Sequence, residues 1–146
     1  MLFKGLEMYS ASCLCGGIEF KIKQEIDKIF ICHCKQCQKA QGGAFVAITV
    51  IATNKCELIK GNDLIGEYSA TLGKKRVFCR NCASPLYSAR EDLSDVIRLR
   101  LGIINEAVDA KVYSQAFTEY KAQWFNIADD ESLRFKEKFD PNQHDV

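Results

Sequence analysis

Six consecutive residues, Cys32-His33-Cys34-Lys35-Gln36-Cys37, set three thiols so close in sequence that almost no loop must close to gather their sulfurs. Zinc is held by thiolates at about 2.3 Å, usually by four ligands in a tetrahedron. A C-x-C step followed by C-x-x-C supplies three corners of that figure. The two-residue gap lets the backbone turn so that both of its sulfurs face one ion. No obvious fourth ligand accompanies the trio.

The chain carries eight cysteines in all. Cys13 and Cys15 precede the paired glycines Gly16-Gly17, which permit a tight turn. Cys79 and Cys82 repeat the C-x-x-C spacing. The stretch Met1–Met8 lacks a long apolar region with a small-residue cleavage site, so a cytoplasmic, thiol-reducing setting is expected. Thiols this close in sequence make strained local bridges, and metal is preferred over a disulfide framework. Four plus three is the natural division. Cys13, Cys15, Cys79 and Cys82 make a closed structural zinc site. Cys32, Cys34 and Cys37 make an open site with one position for water or a substrate group, so two zinc ions per chain are expected. Two rivals stay open: a trio with no metal role, and His33 in the fourth corner, which would have to double back between two other ligands. Cys56 stands alone in a strand pattern and reads as a small buried hydrophobe.

Length and charge narrow the partners. At 146 residues with 47% hydrophobic content, the chain suits one domain with a sizeable core. Lys and Arg number 20 against 19 acidic residues, for a formal charge of +1. That balance gives no reason to expect nucleic acid or an anionic membrane as partner. The longest mostly apolar run, Ala44–Ala52, is far short of the roughly 18 residues of a membrane span.

Periodicity predicts a β-rich domain. Ile18, Phe20 and Ile22 alternate with charged residues, and Ile29-Phe30-Ile31 delivers the chain into Cys32. Lys35–Gln41 reads as a short helical turn stopped by Gly42-Gly43. Ala44–Ala52 reads as a strand buried on both faces. Further strands are expected at 56–59, 65–69, 74–78 and from Leu86, with Ala83-Ser84-Pro85 as a turn. Val96–Ile104 is the clearest strand, with Arg98 and Arg100 on its wet face. Ala110–Tyr120 is ambiguous between strand and helix. Trp124–Ile127 is an apolar patch, and Asp129–Phe139 fits one short helix. Residues 1–9 read as a leader.

Three blocks together resemble a known family. They are Ser12-Cys13-Leu14-Cys15-Gly16-Gly17, the run from Cys32 to Phe45, and Phe78-Cys79-Arg80-Asn81-Cys82-Ala83-Ser84-Pro85-Leu86-Tyr87. In this order they resemble the glutathione-dependent formaldehyde-activating enzymes, also called the CENP-V/GFA domain family. Trp124-Phe125-Asn126-Ile127-Ala128-Asp129 is similar to the family's W-x-x-I-x-D stretch. The resemblance covers about residues 10–130 of a single domain spanning 1–146, with 131–146 as a tail. It implies a mainly β, Mss4-like (β-tent) fold of small packed antiparallel sheets with zinc-binding knuckles. It implies structural zinc on Cys13, Cys15, Cys79 and Cys82, and active-site zinc on Cys32, Cys34 and Cys37. It also implies carbon–sulfur lyase chemistry that joins a small-molecule thiol such as glutathione to formaldehyde. Two positions depart from the pattern: Ala83 stands where members usually have Gly, and Gln115 or Ala116 where many have His.

An enzyme acting on thiol adducts is therefore the leading reading. A non-catalytic zinc-stabilised binding module is the second, although relatives of that kind usually bring a basic extension. A methionine sulfoxide reductase of similar fold would need two distant C-x-x-C pairs and a separate catalytic thiol, which fits poorly. Lys35, Lys39 and Arg80 flank the knuckles and are candidate cations for an anionic site. Lys74-Lys75-Arg76 is a candidate for substrate carboxylates, and His33 for acid/base work. The substrate, the occupancy of the second site and the oligomeric state are not written in the sequence.

Overall fold

The computed structural model describes residues 8–138. In chain order the elements are β1 (Tyr9–Ser12), β2 (Glu19–Ile22), β3 (Lys28–Cys32), the helix α1 (Lys35–Gln41), β4 (Val46–Ala52), β5 (Cys56–Lys60), β6 (Ile65–Thr71), β7 (Lys74–Cys79), β8 (Pro85–Arg90), β9 (Val96–Arg100), β10 (Lys111–Ala116) and β11 (Leu133–Arg134). Short 3-10 turns join several of them. The fold is mainly β, built of small sheets, and agrees with the β-tent class that the resemblance implies. The described residues fall into two compact units, one from 8–26 and 49–109, the other from 27–48 and 110–138.

In the first unit the pairs β1–β2, β2–β5, β6–β7, β7–β8 and β8–β9 are antiparallel. One sheet has the order β1-β2-β5, and another run has the order β9-β8-β7-β6. Alternation works as expected in β2: Phe20 and Ile22 are buried, while Glu19 and Lys21 stay partly wet. Ile18, Ile51, Val77, Leu86 and Leu99 complete a dry core. Burying aliphatic side chains of this size stabilises the unit by about 1.5–3 kcal/mol each relative to exposure. Both knuckles of this unit are hairpin loops. β1 pairs with β2 from Tyr9↔Ile22 to Ser12↔Glu19, so Cys13–Gly17 is the loop between them. β7 pairs with β8, and Arg80–Ser84 is their loop. Gly61, at φ +95°, passes so near the first loop that a Cβ would lie 2.3 Å from the Gly17 carbonyl oxygen. Only glycine fits there.

The second unit has the strand order β11-β10-β3-β4. β3 and β4 are antiparallel, with Cys32 opposite Val46. β10, however, runs parallel to both β3 and β11. The sheet is thus mixed where uniformly antiparallel pairing was expected. The segment between β3 and β10 is long, which is what a parallel pairing requires.

Four local expectations are corrected. Val96–Ile104 is not one strand: β9 ends at Arg100, and Leu101–Ile103 is a 3-10 turn. Arg100 is buried rather than wet, donating from Nη1 to Ser88 Oγ (3.2 Å) and to the Arg98 carbonyl (3.2 Å). Residues 129–138 form no helix. The Asp130 carboxylate accepts from the backbone N–H and the hydroxyl of Ser132, making a local turn that competes with helix. The chain then enters β11, and Phe135 N–H donates to the Gln115 carbonyl. Pro85 belongs to β8 rather than to the preceding turn. Phe139 and the residues after it lie outside the described part, as do most of the expected leader and the end of the tail. Ala110–Tyr120 resolves as strand β10 followed by a 3-10 turn at Thr118–Tyr120.

Candidate metal centres

The sulfurs of Cys13, Cys15, Cys79 and Cys82 all lie within 4.8 Å of one another, and so do those of Cys32, Cys34 and Cys37. All eight cysteines are free thiols. A tetrahedron with 2.3 Å metal–sulfur bonds has sulfur–sulfur edges of about 3.8 Å. Cys13 and Cys15 stand 3.5 Å apart, and Cys15 and Cys79 stand 3.9 Å apart. Those edges suit a thiolate-bound zinc and are far too long for a disulfide. The donor sets therefore fit the metal that the spacing predicts.

The four-thiol set is built by its two hairpin loops. Cys13 N–H donates to the Ile18 carbonyl, and Ile18 N–H donates to Cys13 Sγ at 3.3 Å. In the second loop, Cys79 N–H donates to the Ser84 carbonyl, and Ala83 N–H to the Cys79 carbonyl. Leu14 N–H donates to Ser84 Oγ at 2.8 Å, tying one loop to the other. Ala83 takes φ +66°, the left-handed conformation that glycine occupies freely. The alanine thus accepts the glycine geometry instead of shifting the loop, at a cost of about 1 kcal/mol. Cys13 and Cys79 are buried, and Cys15 is exposed. Burial pushes the Cys79 thiol up to about 11. The hydroxyl and amide of Ser84 bring Cys82 down to about 5. The Asn81 side chain, then the Gly17 amide, lower Cys15.

The trio is built around the start of α1. Cys32 ends β3, and Cys34 is the N-cap of the helix, its sulfur accepting from Cys37 N–H at 3.4 Å. The helix runs over Lys35–Gln41 as the sequence predicts, and Gly42 closes it at φ +69° with its N–H on the Gln38 carbonyl. All three thiols are half-buried. Hydrogen bonds from the Cys32 and Cys37 thiols, helped by the amides of Cys37 and Gln36, hold Cys34 down at about 2. Cys32 is pushed up by the same thiol contacts and by burial.

His33 is not the fourth donor. It is fully buried, and its Nε2 pairs with Gln115 Oε1 at 2.7 Å. Its ring stacks loosely on Phe45 and Phe125, with centroids 5.7 and 6.3 Å away. Burial holds its pKa below the ordinary value, and the Lys121 and Arg134 charges add to this against the Gln115 bond. A neutral, enclosed imidazole is a brace for the trio. Sequence reasoning noted Gln115 only as a missing histidine. It missed Gln38, whose Nε2 donates to the carbonyls of His33 (2.7 Å) and Tyr120 (3.0 Å). Nothing in local patterning marks a pair separated by eighty-two positions.

The other candidates are placed as follows. Arg80 is held by the Asp63 carbonyl, in the unit of the four-thiol set, and its own N–H donates to the Leu64 carbonyl. Lys75 pairs with Glu67 at 2.9 Å. Lys74 and Lys75 line a cavity of about 470 Å³ with Glu67, Arg90 and Glu91, so charges of both signs meet there. Cys56 is half-buried, and burial raises its thiol to about 11, which keeps it inert. Within the Trp124–Ile127 patch, Trp124 is 74% exposed, while Phe125 and Ile127 are half-buried.

Comparison with known proteins adds three findings. Residues 8–120 match the family described as glutathione-dependent formaldehyde-activating enzyme. A Schizosaccharomyces pombe protein named as an uncharacterized lyase is 33% identical over 81 residues, 56% of this chain. The chain spans 57% of that relative's length. A crystal structure of a Rhodobacter sphaeroides protein superposes with a TM-score of 0.53 at 15% identity, covering 86% of this chain and 98% of that one. That likeness is one of fold. No helix among the described residues is long and apolar enough to cross a membrane.

Proposed function

The chain belongs to the glutathione-dependent formaldehyde-activating enzyme family, and on that premise we propose that it is a zinc-dependent carbon–sulfur lyase-type enzyme acting on thiol adducts of formaldehyde. The observation that carries the reading is the trio: three half-buried sulfurs within reach of one ion, with His33 withdrawn to Gln115. Three donors leave a tetrahedral site one corner short. Zinc held by Cys32, Cys34 and Cys37 would supply a fixed positive charge and an open coordination position.

The reaction balances without an oxidant. The sulfur of a thiol such as glutathione forms a bond to the carbon of formaldehyde, and the thiol proton ends on the former carbonyl oxygen. The product is the S-hydroxymethyl thioether, and the reverse reaction splits the same bond. The protein's own contribution is placement. The Gln115–His33 pair and the Gln38 bridges fix the turn that carries the trio. Phe45 and Phe125, with ring centroids 5.2 Å apart, wall the imidazole off from water. The four-thiol set of the other unit is the structural centre in this reading, for a total of two zinc ions per chain. Eight free thiols suit a reducing compartment such as the cytoplasm.

The test is exchange NMR of glutathione and formaldehyde with the purified, zinc-loaded chain. Formation of S-hydroxymethylglutathione faster than the spontaneous reaction, lost in Cys37→Ser, is the expected result. Equal rates with and without protein across a panel of thiols would leave a zinc-stabilised binding module.

A further inference from the structure

Strand register gathers basic side chains on one face of the β9-β8-β7-β6 run. Tyr68 of β6 is opposite Arg76 of β7, Arg76 is opposite Ser88 of β8, and Ser88 is opposite Arg98 of β9. Residues opposite one another in a ladder share a face, and so do residues two apart along a strand. Lys74, Arg90 and Arg100 therefore join the row. The other face carries Val77, Tyr87 and Leu99 and is the packed one, with the Tyr87 ring edge-on to Phe20 of β2 at 6.2 Å. The basic face is short of negative charge. Lys74 is directly opposite Arg90, and Arg90 is diagonal to Arg98, so like charges repel across the strands. Asp92 accepts from Arg90 Nε at 2.9 Å. Arg76 and Arg98 are half-buried, and among the described residues neither guanidinium has a hydrogen bond or an ion pair. Burial, then the charge of Arg90, holds the Arg98 pKa below the usual arginine value against the pull of Asp92. A guanidinium drawn part-way out of water costs stability unless an anion joins it. Between the two arginines stands Ser88. Its Oγ accepts from Arg100 Nη1 at 3.2 Å, which leaves its own proton to donate. Arg100 Nη1 also donates to the Arg98 carbonyl at 3.2 Å and so pins the row.

We propose that the Arg76–Ser88–Arg98 row binds a tetrahedral dianion, the phosphate group of a small phosphomonoester. The Cα atoms of the two arginines lie two strand spacings apart, about 10 Å, and their long arms can meet over the serine. A planar carboxylate is satisfied by one guanidinium fork. Two forks with a hydroxyl between them offer more donors than its two oxygens take, and suit the three acceptor oxygens and double charge of a phosphate. Tyr68, at the end of the row and 62% exposed, offers an aromatic wall to the group that carries the phosphate. The site lies wholly in the first unit, and the assignment does not rest on the lyase reading.

The test is calorimetric titration of the zinc-loaded, dialysed chain with inorganic phosphate, glycerol 3-phosphate and acetate at fixed ionic strength. The proposal expects saturable binding of one equivalent of either phosphate and none of acetate. Arg76→Gln and Arg98→Gln should each weaken phosphate binding about tenfold or more, and should each lose the rise in Tm that phosphate gives the wild type. The two substitutions are read separately, so that if one unfolds the chain the other remains the test. Cys37→Ser, which removes a thiol of the trio, should leave phosphate binding unchanged. Binding that survives both arginine substitutions, falls with Cys37→Ser or extends equally to acetate overturns the site. So does the absence of both heat and a Tm rise with either phosphate. Vesicles of phosphatidic acid in phosphatidylcholine present the same phosphomonoester on a lipid. Sedimentation with them, without a response to the soluble phosphates, overturns the small-molecule assignment.

Discussion

The two sulfur clusters are made from the same residue type and differ in how the chain delivers it. The four-thiol set comes from two hairpin loops separated by over sixty residues, so an ion there staples remote strands together. The trio comes from one strand end and the first turn of one helix, so an ion there closes almost no loop. Removing metal from the first should release much conformational entropy, and removing it from the second very little. Hydrogen bonding follows the same division. Cys13 and Cys79 are buried under hairpin amides. All three thiols of the trio keep partial access to solvent, and its rigidity is borrowed from buried amides and an imidazole behind it. On the function proposed above, stability and chemistry fall to separate sulfurs.

The largest expected effect comes from stripping metal. A strong chelator should act in two stages. The trio empties first with little change in circular dichroism, and the four-thiol set empties later with a fall in Tm of about 15 °C or more. A single stage, with metal and structure lost together, would erase the distinction between the clusters. Next in size is the brace behind the trio. Gln115→Ala leaves the buried His33 Nε2 without its partner and should cost about 1–3 kcal/mol in urea denaturation. It should also lower turnover, whereas zinc in the four-thiol set stays bound.

A smaller effect, of opposite sign, sits at the second hairpin loop. Ala83→Gly relieves the φ of +66° and should raise stability by about 1 kcal/mol with activity unchanged. A destabilised variant would mean that the loop is not held in that conformation. The smallest effect is a pH dependence. Glu106 loses solvation, but accepts from the backbone N–H and the hydroxyl of Ser10 at 2.7 Å each, and its pKa is held below the ordinary value. Its folded pKa is depressed, so its contribution is present above the unfolded value near 4.5 and fades as pH falls through the folded one. Ser10 lies on β1, which leads into Cys13. Glu106→Gln should therefore lose part of its stability at pH 6, and its difference from the wild type should shrink as pH is lowered progressively below 4.5, as read by thermal melts.

Much of this is legible in the sequence. Cysteine spacing alone divides the thiols four and three, because both C-x-C and C-x-x-C confine their sulfurs to a small arc. The helix over Lys35–Gln41 is written in its formers and in Gly42. The unreadable features are those set by distant partners. His33, left open as a rival fourth donor that would have to double back between two thiols, is claimed by Gln115 eighty-two positions away. Arg100 looks wet by alternation, yet β9 ends there and its guanidinium turns to Ser88. The run after Asp129 has helix-forming residues, and the Asp130–Ser132 turn overrides them. Trp124 reads in the sequence as part of an apolar patch, and its side chain is mostly exposed.

The division of labour between the clusters is tested most directly by counting zinc per chain and melting the protein in parallel for wild type, Cys37→Ser and Cys82→Ser, all purified anaerobically and back-titrated with zinc. The account predicts about two ions in the wild type. It predicts one in Cys37→Ser with an unchanged melt and no turnover, and a sharply lowered melt in Cys82→Ser. One ion in the wild type, untouched by Cys37→Ser, would contradict it.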